Sequence, residues 1–100
     1  MEALNFKIRA MVMGLSDFID YETKEKIGVT LDIGYRNQNG KFQTQNVKIL
    51  GASLNDFSEY LDTIATITLA DVTIVSYLNN NRAALSIKAQ SATVESIEDL

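Results

Sequence analysis

The chain has 100 residues, 46% of them hydrophobic and 22% charged, which is the composition of one ordinary globular domain and excludes a disordered chain. It contains no cysteine and no histidine, which excludes disulfides, thiolate metal sites and the usual hydrolytic triads, so neither a cofactor nor an enzyme activity is expected. Nine basic and thirteen acidic residues give a formal net charge of −4, which argues against a uniformly basic surface for nucleic acid.

The first predicted element is a strand from about Leu4 to Val12, because apolar and polar residues alternate there with a period of two. Lys7 and Arg9 share the face that would point outward. Gly14 follows, at a position where a strand can bulge or bend sharply.

A hairpin is predicted next. Residues 27–35 alternate cleanly between apolar and small or polar residues, which is typical of a strand with one buried face. Residues 36–41 form the connection, where Asn39-Gly40 suits a primed turn with positive φ at both positions. The return strand runs from Phe42 to Leu50.

After Gly51 the period changes to the three- and four-residue spacing of a helix. Ser53 is the predicted cap, with Asp56 placed to complete a capping box. The β-branched residues of segment 63–68 lower helix propensity, so we expect the helix to end near Ala65. Its apolar stripe would comprise Leu54, Phe57, Leu61 and Ile64.

Two further strands are predicted at residues 71–78 and 83–89, the second with a possible extension through Val94. The asparagine-rich segment 79–82 between them reads as a second hairpin connection. The resulting order β-β-β-α-β-β is what a small barrel with one helix at its base requires. We therefore predict a mainly β, five-stranded Greek-key barrel with one α-helix between strands 3 and 4.

This architecture resembles the OB-fold, which binds oligonucleotides across its second and third strands and through flanking loops. The chain also resembles the small single-stranded-DNA-binding, helix-destabilising proteins of phages and conjugative plasmids. Segments 21–31, 35–42 and 72–88 carry the resemblance. It implies that residues 1–100 form a single OB-like domain that binds single-stranded DNA without sequence preference during replication or transfer.

Binding of this kind needs cations that follow the phosphates and aromatic faces on which bases stack. Candidate residues lie in the first loop, in both hairpins and on the outward faces of the first and third strands. Tyr35 also continues the inward series of its strand, which favours a place at the edge of the core. The candidate set is Lys7, Arg9, Tyr21, Lys24, Lys26, Tyr35, Arg36, Lys41, Phe42, Lys48, Tyr77 and Arg82.

The acidic residues concentrate in the loop after the first strand, on the predicted helix and at the C-terminal end, which would leave one basic face elsewhere. The loop carboxylates Asp17, Asp20 and Glu22 lack the spacing of an EF-hand, so a solvated loop is favoured over a metal site. The short acidic end from about Glu95 resembles the partner-recruiting tips of bacterial single-strand binders. That resemblance implies a replication-protein partner, but the segment is short and lacks the usual aromatic ending, so a frayed solvated end is favoured.

A homodimer or other homo-oligomer is expected, because a small barrel alone has a short footprint on DNA. RNA is a second ligand that the same side chains could bind. No apolar run reaches the roughly 20 residues that span a bilayer, so we expect a cytoplasmic protein of a bacterial host with no membrane partner. The alternative function is a phage or plasmid structural or protein-interaction module that assembles through its sheet edges.

Overall fold

The computed structural model describes residues 5–98, and of Asn79 only the backbone. Within that range the chain forms one seven-stranded sheet with the strand order β5-β6-β3-β2-β1-β4-β7. Neighbouring strands are antiparallel except for β3 and β6, which are parallel. The strands are β1 (Phe6–Ile19), β2 (Lys26–Arg36), β3 (Phe42–Leu50), β4 (Ile64–Ala70), β5 (Thr73–Asn79), β6 (Arg82–Ala89) and β7 (Ser91–Glu98).

The two end strands of the sheet, β5 and β7, belong to one long bent hairpin. The chain passes from β4 into β5 through Asp71 and Val72, and from β6 into β7 through Gln90. At the bend, the Gln90 backbone N–H donates to the Ala70 carbonyl at 3.0 Å. One half of this hairpin pairs with β1 through β4, and the other half pairs with β3 through β6. The sheet must therefore curl so that the same hairpin can reach both strands.

The core lies on the concave side of this curled sheet. Val29 and Leu31 from β2 and Val47 and Ile49 from β3 are almost fully buried, as the alternation in the sequence predicts. Ile67 from β4 completes the centre. The outward series of β3, from Phe42 to Lys48, is therefore left on the convex face.

The prediction of five strands and a connecting helix was wrong. Between β3 and β4 the chain forms only two single-turn 3₁₀ segments, Leu54–Asp56 and Ser58–Tyr60. The capping contact is present, because the Ser53 backbone N–H donates to Asp56 Oδ2 at 2.9 Å. The segment then leaves helical geometry at Asp62, whose φ is +65°. Separately, no helix among the described residues is long and apolar enough to cross a membrane.

The β-branched segment explains the missing helix. Residues 64–70 form β4, which pairs with β1 on one side and with β7 on the other. The alternating burial of Ala65, Ile67 and Leu69 shows a strand with one face in the core. β-branched residues favour such a strand, and two ladders of hydrogen bonds outweigh the short apolar stripe that suggested a helix.

β1 is longer than predicted. It extends to Ile19, and Leu4 lies outside the described residues. The expected irregularity at Gly14 is confirmed, because the β1–β2 register shifts between Val12 and Gly14. Beyond this bulge the strand places Phe18 opposite Gly28 of β2.

The two hairpin turns differ from the expectation. Of Asn39 and Gly40, Gly40 alone has a positive φ, and the loop is instead held by the Asn37 side-chain oxygen, which accepts from the Asn39 and Lys41 backbone N–H groups. The primed-type conformation occurs in the other hairpin. There Asn80 and Asn81 have φ of +53° and +64°, which allows the tight β5–β6 connection.

Candidate nucleic-acid interface

Two lysines lie side by side on the convex face. The parallel β3–β6 ladder pairs Lys48 with Lys88, flanked by the pairs Val47 with Ile87 and Ile49 with Ala89. The flanking side chains turn towards the core, so both lysines must turn outward. The sheet thus fixes two ammonium groups next to each other.

Phe18 of β1 lies beneath both ammonium groups. Its ring centroid is 5.2 Å from Lys48 Nζ and 5.8 Å from Lys88 Nζ, which are cation–π distances. Within residues 5–98 the ion pairs are Arg9 with Glu98 and Lys26 with Asp17, so neither lysine is paired with a carboxylate there. Like charges on neighbouring strands repel, and an anion such as a phosphate between them would relieve that repulsion.

Two more aromatic residues share this convex face. Phe42 lies at the start of β3 on the same side as Lys48, about 20 Å along the strand at the usual rise per residue. Tyr77 of β5 pairs with Ala84 of β6, and it lines a shallow pocket with Asn46, Lys48 and Ser86. Both rings are about half exposed.

We call this surface the outer β3 face. It is defined by Phe18, Phe42, Lys48, Tyr77 and Lys88.

Charge is segregated towards the outer β3 face. Segments 33–50 and 72–89, which contain all of β3, β5 and β6, hold five of the nine basic residues and none of the thirteen acidic ones. The remainder of the chain is correspondingly more acidic than the total of −4 suggests. A locally positive potential over an acidic molecule results.

One carboxylate interrupts this arrangement. Asp32 of β2 pairs with Asn46 of β3 and lies two pairs along the ladder from Thr30 and Lys48, on the same convex side. It is half-buried, and its Oδ2 lies 3.0 Å from the point where a Cβ on Gly14 would be. Its negative charge opposes phosphate binding along the centre of the face.

A cleft separates the first half of β3 from the β5–β6 hairpin, because the two are hydrogen-bonded as a ladder only over residues 47–49 of β3. The Gln45 side-chain amide crosses the cleft and donates to the Leu85 carbonyl at 3.0 Å. Gln43, Thr44 and Tyr77 line the same space. These side chains offer hydrogen-bond donors and acceptors beside the aromatic faces.

The predicted residues of the hairpin loops flank this face, and one of them, Arg36, already makes a hydrogen bond within its own loop. Arg36 donates from Nη1 to the Gly40 carbonyl at 2.9 Å, so it also shapes its own hairpin. Lys41 is exposed in the same loop, and Arg82 is exposed at the start of β6.

In the β1–β2 loop, Lys24 Nζ lies 5.8 Å from the centroid of the Tyr21 ring. Both residues are exposed. Lys26 pairs with Asp17 at 3.3 Å, so its charge is partly neutralised. A pocket at this end of the face is lined by Phe18, Tyr21, Lys48 and Lys88. Asp20 and Glu22 line the same pocket, so positive and negative side chains lie close together there.

Three predicted residues lie apart from the outer β3 face. Lys7 and Arg9 face Thr68 and Thr66 on the β4 side of β1, and Arg9 forms an ion pair with Glu98 of β7. Tyr35 follows the inward series of β2, as its alternation predicts.

Tyr35 lines a cavity of about 350 Å³ at one end of the curled sheet. Phe6, Ile33 and Ile74 line the same cavity.

The acidic end is partly a strand. Residues 95–98 belong to β7, where Glu98 pairs with Arg9 and Glu95 accepts from the Thr68 hydroxyl at 3.0 Å. Residues 99 and 100 lie outside the described part. Its predicted role in recruiting a replication protein stays a prediction.

Phe18 and Lys88 belong to the face but were absent from the sequence prediction. Phe18 lies beyond Val12, where the first strand was expected to end. Lys88 was assigned to a strand, but its position beside Lys48 depends on a long-range parallel pairing that periodicity does not reveal. A usable signal for Lys88 was the absence of acidic residues from segments 33–50 and 72–89.

Comparisons with known proteins identify the fold. No protein-family model matches the chain, and no curated protein sequence matches it. Among solved structures, one crystal form of the mitochondrial single-stranded DNA-binding protein Rim1 from S. cerevisiae is similar with a TM-score of 0.64 and 10% identity, covering 99% of this chain and all of the other. A second crystal form is similar with a TM-score of 0.55 and 11% identity, covering 94% of this chain and 97% of the other. The chain therefore has the OB-type fold of these proteins.

Proposed function

We propose that the chain is a sequence-nonspecific single-stranded DNA-binding protein that acts in the replication or transfer of phage or plasmid DNA in the cytoplasm of a bacterial host. The observation that carries this proposal is the pair Lys48 and Lys88, fixed side by side over Phe18 with no carboxylate paired to them among residues 5–98. The OB-type fold shared with single-stranded DNA-binding proteins supports it. The protein acts by binding, without catalysis or a cofactor.

The chemistry of the outer β3 face suits a flexible polyanion. A phosphate between the two ammonium groups accepts charge-assisted hydrogen bonds from both and removes their mutual repulsion. Bases stack on Phe42 and Tyr77, and such stacking is tolerant of sequence because every base has a π-face. RNA offers the same phosphates and bases, so it is a second ligand that this chemistry admits.

The decisive experiment is a salt titration of binding to fluorescently labelled oligo-dT. For a single strand, the logarithm of the affinity falls with the logarithm of the salt concentration, and each phosphate neutralised by a lysine makes this slope steeper by about 0.7. Lys48→Ala and Lys88→Ala should each lower the slope by about 0.7, and the double variant by about 1.4. Lys7→Ala is the matched control, because it removes one surface lysine from the far side of β1.

Two results would overturn the proposal. One is the absence of oligo-dT binding at low salt by the folded wild-type chain. The other is an equal loss of slope for Lys7→Ala and for the two face variants, which would indicate a diffuse charge effect and no defined interface.

The alternative is an interaction module that assembles through sheet edges. The observations on the side of this alternative are the net charge of −4 and the uncharged edge strand β5. A folded protein that self-associates but leaves oligo-dT free at low salt would support this alternative.

A further inference from the structure

The edge strand β5 lacks the features that normally keep an exposed strand from pairing with another chain. Residues 73–79 contain no charged residue, no proline and no glycine. In the described part of the chain β5 is hydrogen-bonded to β6 alone, so its second edge carries free backbone donors and acceptors. Soluble proteins usually protect such an edge with charges, proline or a bulge.

Both faces of β5 are also apolar and open. Ile74 and Leu78 are 42% and 77% exposed on one side, and Val75 and Tyr77 are 53% and 48% exposed on the other. Exposed apolar residues on both faces of an edge strand are typical of a strand that continues into a neighbouring sheet.

The other edge strand behaves differently. β7 carries Glu95 and Glu98. Pairing β7 with β7 of a second copy would bring negatively charged carboxylates close together, and their repulsion opposes association. β5 has no such charge, so the two edges of this sheet are unequal.

We propose that two copies of the chain associate through antiparallel pairing of β5 with β5 about a two-fold axis at Ser76. This inference deepens the proposed function by naming the surface of its homodimer. An axis at Ser76 places Val75 opposite Tyr77 of the second copy, which is a favourable aromatic and β-branched pair. It places Ile74 opposite Leu78 of the second copy on the other face. Apolar residues thus meet apolar residues on both sides of the joined sheet.

The same symmetry determines how the two outer β3 faces meet. A two-fold axis perpendicular to the sheet keeps equivalent faces on the same side, so Tyr77 of both copies lies on one continuous convex surface. The segment from Val72 to Ala89 carries Arg82 and Lys88 and no acidic residue, so the two arms add positive charge along that surface. The dimer would therefore present one binding path with twice the length available to a single copy.

The test uses single cysteines, because the chain contains none of its own. Residues directly opposite in an antiparallel pair have Cα atoms about 4.5 to 5.5 Å apart, which a disulfide can bridge. Ser76→Cys should therefore form a disulfide-linked dimer under mild oxidation. Thr73→Cys is the matched control, because its own copy lies about 20 Å away across the proposed axis at the usual rise per residue.

A second variant tests the interface without cysteine chemistry. Val75→Lys should convert the wild-type dimer to a monomer in sedimentation velocity, since it brings two like charges near the axis. Thr93→Lys on β7 is its control and should leave the dimer intact. Circular dichroism should show the same strand content in both variants.

The proposal is overturned if wild-type protein sediments as a monomer, or if Ser76→Cys cross-links no faster than Thr73→Cys. An edge that instead accepts a strand from a different protein would give the monomer result. A dimer that leaves oligo-dT free would overturn the proposed function alone, and a monomer that binds oligo-dT would overturn this inference alone.

Discussion

At the scale of single residues, the convex face is defined by which side chains the register places together. Lys48 and Lys88 come from strands forty residues apart in the sequence, and both contact the ring of one phenylalanine. The alternation of β3 predicts that Phe42 and Lys48 share a face, and the structure confirms it. The contribution of β6 could not be predicted in the same way, because parallel pairing leaves no local pattern.

We predict that Phe18→Leu lowers affinity for oligo-dT by a similar factor at every salt concentration. Leucine keeps the apolar contact with the sheet but removes the ring that both ammonium groups contact, so Lys48 and Lys88 are held less well in place while their number of charges is unchanged. Fluorescence anisotropy across a salt series measures this effect. An unchanged affinity would remove Phe18 from the interface, and Phe57→Leu in the core is the control for a general loss of structure.

Asp32→Asn should have the opposite effect. The substitution removes the carboxylate from the middle of the outer β3 face and keeps a side chain of the same size. Affinity should rise at low salt and approach the wild-type value at high salt, where such charges are screened.

The control for Asp32→Asn is Glu59→Gln in the 3₁₀ segment Ser58–Tyr60, which lies outside this face. It should leave affinity unchanged. Equal gains for both variants would mean that net charge alone governs binding.

At the scale of the elements, the strands were more predictable than their connections. The β2–β3 hairpin was placed within one residue of its observed bounds, because one fully buried face gives a strict two-residue period. The segment after Ser53 was misassigned because its apolar spacing suits a helix, whereas its β-branched residues suit a strand. The tertiary partners β1 and β7 decide that competition, and they are remote in the sequence.

Close packing at two glycines of β2 leads to a ranked prediction. A Cβ on Gly28 would lie 2.0 Å from the Ile49 backbone oxygen, whereas a Cβ on Gly34 would lie 2.4 Å from Phe42 Cζ and 2.6 Å from Met13 Sδ. Side chains can move aside more easily than a paired backbone. Gly34→Ala should therefore lower the free energy of unfolding by about 1 to 3 kcal/mol, and Gly28→Ala by more.

Urea denaturation followed by circular dichroism measures both values. Gly40→Ala separates crowding from backbone strain, because no atom lies within 4 Å of its would-be Cβ but its φ is +78°. A larger loss for Gly34→Ala than for Gly28→Ala would contradict the ranking.

At the scale of the whole molecule, the acidic total conceals a separation of charge. The cations of β3 and the β5–β6 hairpin lie on one side, whereas Glu95 and Glu98 lie on β7 at the other end of the strand order. Net charge therefore predicts solubility better than it predicts the ligand.

A protein that binds only the separated strands should lower the melting temperature of a duplex by mass action. We expect the chain to lower the melting temperature of an A·T-rich duplex in a dose-dependent manner at low salt. Added salt should reverse the effect. The Lys48→Ala, Lys88→Ala double variant should have a much smaller effect, and a rise in melting temperature would instead indicate preferential binding to duplex DNA.

The short parallel ladder between β3 and β6 has a mechanical consequence. The backbone ladder between the projecting hairpin and β3 covers only residues 47–49 and 87–89, with one side-chain hydrogen bond from Gln45 to Leu85 beside it, whereas β4 and β7 hold the base of the hairpin along seven paired positions. The hairpin is thus held firmly at its base and only weakly along its side. Its tip can move outward when a few backbone hydrogen bonds break, so a DNA strand could enter from the side without passing an end through the protein. Amide hydrogens near Asn80 should therefore exchange with solvent well before those of β4.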